Sequence, residues 1–207
     1  MVELLGIISD VHNDIGALEK AILKLRHCDR IIHIGDLIED EKGADEIIEM
    51  LIANNINGVY GNHDINALNI NLNHHSWTLN ETSKKYLKQL PQRLEYQGLT
   101  FIHDNPLSTP KTIGLAFNGG YIRSTNLANQ VFKESKEQIV IVGHTHTPTQ
   151  YLNNGKVTLD EKTRKIKISP NLRYILNSGG ITPKHDSTSQ TVGIYDFKNK
   201  TFEVMDI

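Results

Sequence analysis

Five short apolar runs recur along the chain, and they constrain its fold more than any other feature. Each run has four to six residues and is rich in Ile, Val, Leu or aromatic side chains, as buried strands are. The runs are 4–9, 31–34, 56–60, 99–102 and 139–142. Apolar residues at helical spacing separate the first three runs, within 14–27 and 44–52. This β-α-β-α-β beginning predicts a parallel sheet with helices packed on its faces.

The remainder of the chain is less regular. We expect one domain over 1–207, which is long enough to bury a core, with irregular insertions near 66–98 and 105–136. Residues 66–80 are rich in Asn and have no clear period. Helical patterns lie within 81–90, which Pro91 ends, and within 125–136. Beyond residue 150 the pattern predicts strands and hairpins, at 156–160, 165–169, 174–177, 191–197 and 202–205.

The residues that follow the five apolar runs carry the chemistry. These ends read Asp10-Val11-His12, Gly35-Asp36, Gly61-Asn62-His63-Asp64, His103-Asp104 and Gly143-His144-Thr145-His146. In open α/β sheets, ligands bind outside the carboxyl ends of the strands. Strands that reach the same edge would therefore bring these polar side chains together. The Asp-x-His and His-x-His spacings would point alternate side chains the same way along extended strand ends.

Carboxylate, amide and imidazole donors without a thiolate suit Mn, Fe, Zn or Co. The chain has 10 His and a single Cys, which excludes a disulfide scaffold and a thiolate-rich zinc site. Seven or eight donors exceed the needs of one ion. They fit two ions about 3.5–4 Å apart that share a carboxylate, as in phosphoryl transfer. Asp-x-His or Gly-Asp alone is more often a turn or a helix cap, and His-x-His alone favours metal no more than a structural role. Five such strand ends in one chain favour a metal site.

In this order, the five strand ends resemble the signature of the calcineurin-like metallophosphoesterase superfamily, over residues 5 to about 148. The flanking residues 9–13 and 17–19 are similar to its small prokaryotic branch, and so are 176–180 with Pro183-Lys184. The resemblance implies an α/β fold of two facing mixed sheets flanked by helices, a four-layer αββα sandwich. It also implies that the C-terminal hairpins belong to the second sheet.

The resemblance implies a role for each residue at the strand ends. One metal ion would be held by Asp10, His12, Asp36 and His146, and a second by Asp36, Asn62, His103 and His144. His63 would act as the catalytic acid that faces the substrate, and Asp64 would orient His63 or support the ligands from behind. The implied reaction is hydrolysis of a small phosphodiester or phosphomonoester by a metal-bridging hydroxide. Mn is the expected metal, with Fe, Zn, Ni or Co as alternatives.

The sequence also departs from the family pattern. No Arg follows Gly35-Asp36, and Asp64 stands where the Ser/Thr protein phosphatases carry Glu, so we discount a protein phosphatase. Asp104 stands where Gly is common, and Lys184 stands where Arg is usual. Two other functions remain: a nuclease of the same superfamily and a non-catalytic protein-interaction scaffold. The modest charge argues against the first, and the complete donor set argues against the second.

Charge and hydropathy limit the partners. The 22 Lys and Arg oppose 24 Asp and Glu, a net charge of −2 that argues against dedicated nucleic-acid binding. No run approaches the roughly 20 apolar residues that cross a bilayer, and the N-terminus does not resemble a signal peptide. We therefore expect a cytoplasmic protein, monomeric or homo-oligomeric, that acts on a small phosphoester without a membrane partner.

Overall fold

The computed structural model describes residues 2–73, 78–108, 121–154, 164–183 and 190–207. Its helices are Ile15–Lys24 (α1), Ala44–Ala53 (α2), Asn62–Asn73 (α3), Glu81–Gln89 (α4) and Thr125–Glu134 (α5). Its strands are Leu4–Ile8 (β1), Arg30–His33 (β2), Asn57–Gly58 (β3), Arg93–Tyr96 (β4), Leu99–Ile102 (β5), Ile139–Val142 (β6), Thr149–Leu152 (β7), Lys165–Lys167 (β8), Tyr174–Asn177 (β9), Thr191–Asp196 (β10) and Thr201–Asp206 (β11).

The first sheet has six strands in the order β3-β2-β1-β10-β11-β8. β1 runs parallel to β2, with Ile7 opposite Ile32, and β2 runs parallel to β3, as the β-α-β-α-β pattern predicts. β1 also pairs antiparallel with β10, where Leu5 lies opposite Tyr195. The C-terminal hairpin of β10 and β11 therefore extends the first sheet. Its expected place in the second sheet is wrong, because β10 takes the edge of β1 that β2 leaves open.

The second sheet has five strands in the order β4-β5-β6-β9-β7. β5, β6 and β9 run parallel, while β4 and β7 pair antiparallel at its two edges. The hairpin expected between 156–160 and 165–169 is not tested, because 156–160 lies outside the described residues. β8, in the second of these segments, pairs with β11 of the first sheet.

The two sheets face each other across one buried cluster. It contains Leu5, Ile7 and Ile32 from the first sheet and Phe101, Ile141 and Leu176 from the second. A second cluster places the apolar faces of α1 and α2 against the outer side of the first sheet. A third places Ala128 and Val131 of α5 against Val140 of β6. Each large side chain buried in this way contributes about 1.5–3 kcal/mol. The four-layer αββα fold is confirmed.

The Asn-rich stretch is a correction to the sequence prediction. α3 continues to Asn73, so an irregular insertion from residue 66 is wrong as far as 73. Asn has a low intrinsic helix propensity, but tertiary packing overrides it here: Ala67 is 1% exposed within the cluster under α1 and α2. α4 ends before Pro91, as predicted, and α5 confirms the helix expected within 125–136. Residues 109–120 lie outside the described residues.

The helices of the described ranges are short, and the longest, α3, has 12 residues. None of them combines the length and the apolar character that a membrane-spanning helix needs.

Candidate metal centre

Five of the predicted ligands lie on loops whose backbone is left-handed. φ is 57° at Asp10, 44° at His12, 52° at Asp36, 67° at His144 and 55° at His146. L-residues adopt this conformation at a cost of about 1–2 kcal/mol each, and such strain concentrates at functional sites. The expectation of extended strand ends at these positions is therefore wrong. The chain turns sharply as it leaves the strands, and these turns bring the side chains together.

Asp10, His12 and His146 form a first buried group, whose ligand-type atoms lie within 4.8 Å of one another. The Nε2 atoms of His12 and His146 are 3.1 Å apart, and Asp10 Oδ1 lies 3.5 Å from His146 Nε2. His146 Nδ1 lies 3.0 Å from the carbonyl of Thr182, to which it donates. A donating Nδ1 leaves the Nε2 lone pair directed at the centre, as metal-binding histidines require.

Asp36, His103 and His144 form a second group of the same kind. Asp36 Oδ2 and His144 Nδ1 each lie 3.1 Å from His103 Nε2. The other nitrogen of His103 lies 2.6 Å from the carbonyl of Ile34. This carbonyl fixes the ring, which is fully buried, so that Nε2 points at the centre.

Asp36 and His12 connect the two groups. Together with His63 they form a third group within the same 4.8 Å limit, and His12 Nε2 lies 3.8 Å from Asp36 Oδ2. The backbone N–H of His63 donates to Asp36 Oδ1 at 2.9 Å. Asn62 Oδ1 is buried and has no hydrogen-bond partner among the described residues. An orphaned acceptor costs about 1–3 kcal/mol, so this oxygen fits a cation beside it.

Charge in the buried centre is uneven. Burial alone would raise the pKa of Asp36, but the neighbouring His103 holds it well below the usual range. Burial alone would lower the pKa of His103, yet the Asp36 carboxylate raises it well above the usual value. Burial, followed by the charge of His103, lowers the pKa of His144 to about 3. Burial raises the pKa of Asp10. A neutral imidazole and clustered carboxylates in one dry site suit divalent transition metals.

Asp64 is fully buried, and its carboxylate faces backbone amides rather than the ring of His63. It accepts from Gly61 N at 2.8 Å, Leu37 N at 2.9 Å and Asp36 N at 3.0 Å. Of its two expected roles, these contacts favour support of the ligand loop from behind. Burial, and then the charge of Asp36, raise the pKa of Asp64 to about 7. Positive charge at the centre would therefore favour its ionised form.

Two glycines are required by the close approach of the loops. A Cβ at Gly61 would lie 2.1 Å from Asp36 Oδ1 and 2.5 Å from the Asp36 nitrogen. A Cβ at Gly143 would lie 2.2 Å from the hydroxyl of Ser9, which itself donates to Asp10 at 2.6 Å. A side chain at Gly61 would displace the predicted ligand Asp36, and one at Gly143 would displace Ser9, which holds Asp10.

Asp104 and Lys184, the two departures from the family pattern, have different outcomes. Asp104 is buried, and its Oδ1 lies 3.3 Å from His144 Nδ1, the same nitrogen that faces His103, so it places a further carboxylate beside a predicted ligand. Lys184 lies outside the described residues.

Tyr121 and Arg123 lie beside the centre, and the sequence pattern did not predict them. The Tyr121 ring stacks on His144, with centroids 4.5 Å apart and an interplanar angle of 20°. The guanidinium of Arg123 lies 4.1 Å from the centroid of Tyr121. The available signal was an aromatic and a basic residue just before the helix cap Ser124, at the end of an otherwise irregular segment.

Comparison with known proteins identifies the family and the fold of the chain. The family model of the calcineurin-like phosphoesterase superfamily domain matches residues 4–200. The uncharacterized protein MJ0912 of Methanocaldococcus jannaschii is 24% identical over 221 residues, which cover 98% of this chain and 86% of the relative. A metallophosphoesterase from Sphaerobacter thermophilus superposes with a TM-score of 0.83 and 22% identity, covering 100% of this chain and 88% of the other. An archaeal phosphodiesterase superposes with a TM-score of 0.58 and 18% identity, covering 99% of both chains.

Proposed function

Because the chain belongs to the calcineurin-like phosphoesterase superfamily, we propose that it hydrolyses a small phosphodiester or phosphomonoester at the strand-end centre. One observation carries the proposal: three overlapping groups of His and Asp converge there, and Asp36 is common to two of them. The names of two structural neighbours, a metallophosphoesterase and a phosphodiesterase, support the same class of substrate. The ligand loops come from residues 10–146, so we also propose that the chain acts as one domain.

The donor set fits two divalent transition-metal ions, with Mn as the first candidate. The first site would use Asp10, His12, Asp36 and His146, and the second Asp36, Asn62, His103 and His144. When bound, divalent ions of this kind polarise phosphoryl oxygens and make a water molecule acidic enough to ionise near neutral pH.

The protein's own contribution is orientation and proton transfer. The carbonyls of Ile34 and Thr182 hold two histidine rings in the ligand tautomer, which removes the need for reorganisation when substrate arrives. His63 is half-buried in the first turn of α3, and its ring centroid lies 4.9 Å from that of His12. Its imidazole therefore faces the same centre. We assign to its imidazole the donation of a proton to the leaving oxygen. Asp64 holds the loop that carries Asp36.

The test is a panel of chromogenic phosphomonoesters and phosphodiesters, assayed with Mn, Ni, Zn and Mg. We expect metal-dependent hydrolysis, and a preference for the diester would identify a phosphodiesterase. Bound metal without hydrolysis of any ester would contradict the enzymatic proposal and favour the scaffold.

Two variants separate metal binding from proton transfer. Asp36→Asn should lose metal and abolish turnover, because it removes the carboxylate shared by the two proposed sites. His63→Ala should lower turnover about 10²–10⁴-fold, the usual contribution of a general acid, while metal content measured by mass spectrometry stays close to that of the wild type. His27→Ala, at an exposed histidine, is the control. Loss of metal from the His63→Ala protein would contradict this division of roles.

A further inference from the structure

Residues 121–123 form a short link without regular secondary structure that leads into α5. Ile122 is 4% exposed and packs in the cluster beneath α5, whereas Tyr121 is half-buried and Arg123 is exposed. Tyr121 stacks on His144 and Arg123 lies over the Tyr121 ring, so both side chains lie on the side of His144, while Ile122 anchors the link in the core.

The side chains of His144, Tyr121 and Arg123 form a stack beside the centre. The imidazole of His144 covers one face of Tyr121, and the guanidinium of Arg123 lies over the ring at 4.1 Å from its centroid. The phenol ring is thus a spacer rather than a platform for a substrate ring. A stacked guanidinium keeps the N–H groups around its edge available for a carboxylate or phosphate. Arg123 is the outermost layer and the most accessible to solvent.

Local charge makes Arg123 a suitable anion site. The arginine–carboxylate pairs in the described part of the chain involve Arg93 and Arg164, so Arg123 has no such partner there. α5 begins directly after Arg123 and has no acidic residue in its first turn, so its N-terminal dipole adds to the positive potential.

We propose that Arg123, held by Tyr121, binds a second phosphate group of the substrate, separate from the phosphoryl group that reacts. The guanidinium contacts the ring that stacks on His144, which places it beside the centre and not among the proposed ligands. The preferred substrate would therefore be a phosphoester that carries another phosphate a short distance from the scissile bond. This inference rests on the proposed function and makes it more specific.

A matched pair of chromogenic esters tests the proposal. Thymidine 5′-(p-nitrophenyl phosphate) and its 3′-phosphorylated form share the leaving group and the reacting phosphorus, and they differ by one phosphate. We expect the metal-loaded wild type to prefer the 3′-phosphorylated ester. Arg123→Gln should reduce that preference in kcat/KM about tenfold, mainly through KM, as expected for the loss of one charge-assisted contact. Arg123→Lys should retain part of the preference, and Arg26→Gln, at a remote exposed arginine, should retain all of it.

Binding provides a readout that does not depend on turnover. Titration calorimetry with thymidine 3′,5′-bisphosphate and thymidine 5′-monophosphate should show the same loss of discrimination in Arg123→Gln. If no ester is hydrolysed but the loss is still seen, the proposed function fails and the anion site stands. If Arg123→Gln weakens both members of each pair equally, Arg123 only supports the stack on His144 and the proposal is overturned. No change with either pair overturns it as well.

Discussion

His33, at the end of β2, should make the stability of this protein fall on acidification. Its ring is fully buried, and burial lowers its pKa to about 3 from an ordinary value of 6.5. Tyr86 donates its hydroxyl proton to the carbonyl of Ile56 at 2.7 Å, so His33 Nε2 donates to the Tyr86 oxygen at 3.0 Å. Nδ1 accepts from the N–H of Gly35 at 3.4 Å. In this neutral tautomer both ring nitrogens have a hydrogen-bond partner. Protonation would add a hydrogen to Nδ1, and two donors, Nδ1–H and the Gly35 N–H, would then face each other.

The sign and the size follow from linkage. Below pH 6.5 the unfolded state binds a proton at His33, whereas the folded state binds it only near pH 3. The folded state therefore loses stability as the pH falls through this window. Between pH 7.5 and pH 5 the loss attributable to His33 is about 2 kcal/mol.

The assay is urea denaturation of the wild type and of His33→Gln across that pH range, with His27→Gln as the exposed-histidine control. His33→Gln is expected to be less stable at neutral pH but to lose about 2 kcal/mol less on acidification, whereas His27→Gln should follow the wild type. Nuclear magnetic resonance of the His33 ring should show a neutral imidazole at pH 5. Parallel pH curves for wild type and His33→Gln, or a protonated ring at pH 5, would refute the reasoning.

Other substitutions have equally specific expectations. Asp64→Asn should lower the free energy of unfolding by about 2–3 kcal/mol, because one amide hydrogen would face backbone N–H donors; calorimetric unfolding measures it. Asp29→Asn, which affects an exposed carboxylate that also accepts two backbone amides, should cost less. Gly61→Ala should lose bound metal and activity because its Cβ would enter the space of Asp36, as metal analysis and ester assays would show. Gly16→Ala, within α1, meets nothing closer than 3.7 Å and should raise stability by about 0.5–1 kcal/mol in urea titrations. Asp104→Asn should weaken metal retention about tenfold in competition with a chelator, because it removes a charge 3.3 Å from His144.

The parts of the fold predictable from the sequence are those that local pattern encodes. The apolar runs and the helical spacing between them identify β1, α1, β2 and α2, and the polar strand ends identify the residues that meet. The alternation of apolar and polar residues within a strand does not identify the strand with which it pairs. The pairing of β10 with β1 could therefore not be derived. α3 was missed for a related reason, since the burial of Ala67 stabilises a helix that Asn propensity disfavours.

Part of the geometry of the site could not be predicted from the sequence either. The left-handed φ at Asp10 and His12 is imposed by contacts with the loop after β2, where Asp10 N donates to the carbonyl of Gly35 and Val11 N to that of Asp36. The stack of Tyr121 on His144 joins positions that no local motif connects. Strand ends can therefore be recognised as a candidate site, whereas the geometry that aims each side chain depends on long-range contacts.

The candidate centre also lies at the junction between the two sheets. Asp10 leaves the first sheet and His144 leaves the second, and the N–H of His144 donates to Asp10 Oδ1 at 3.1 Å across 134 positions of sequence. His146 also follows the second sheet and is grouped with Asp10, so an ion held by this pair would act as a cross-link that forms only when both sheets are folded and docked. At a free concentration of 100 times its dissociation constant, such a ligand adds about 2.7 kcal/mol to stability. Chelation should then loosen the junction of the two sheets first, and hydrogen exchange at the strand ends should rise before exchange within either sheet.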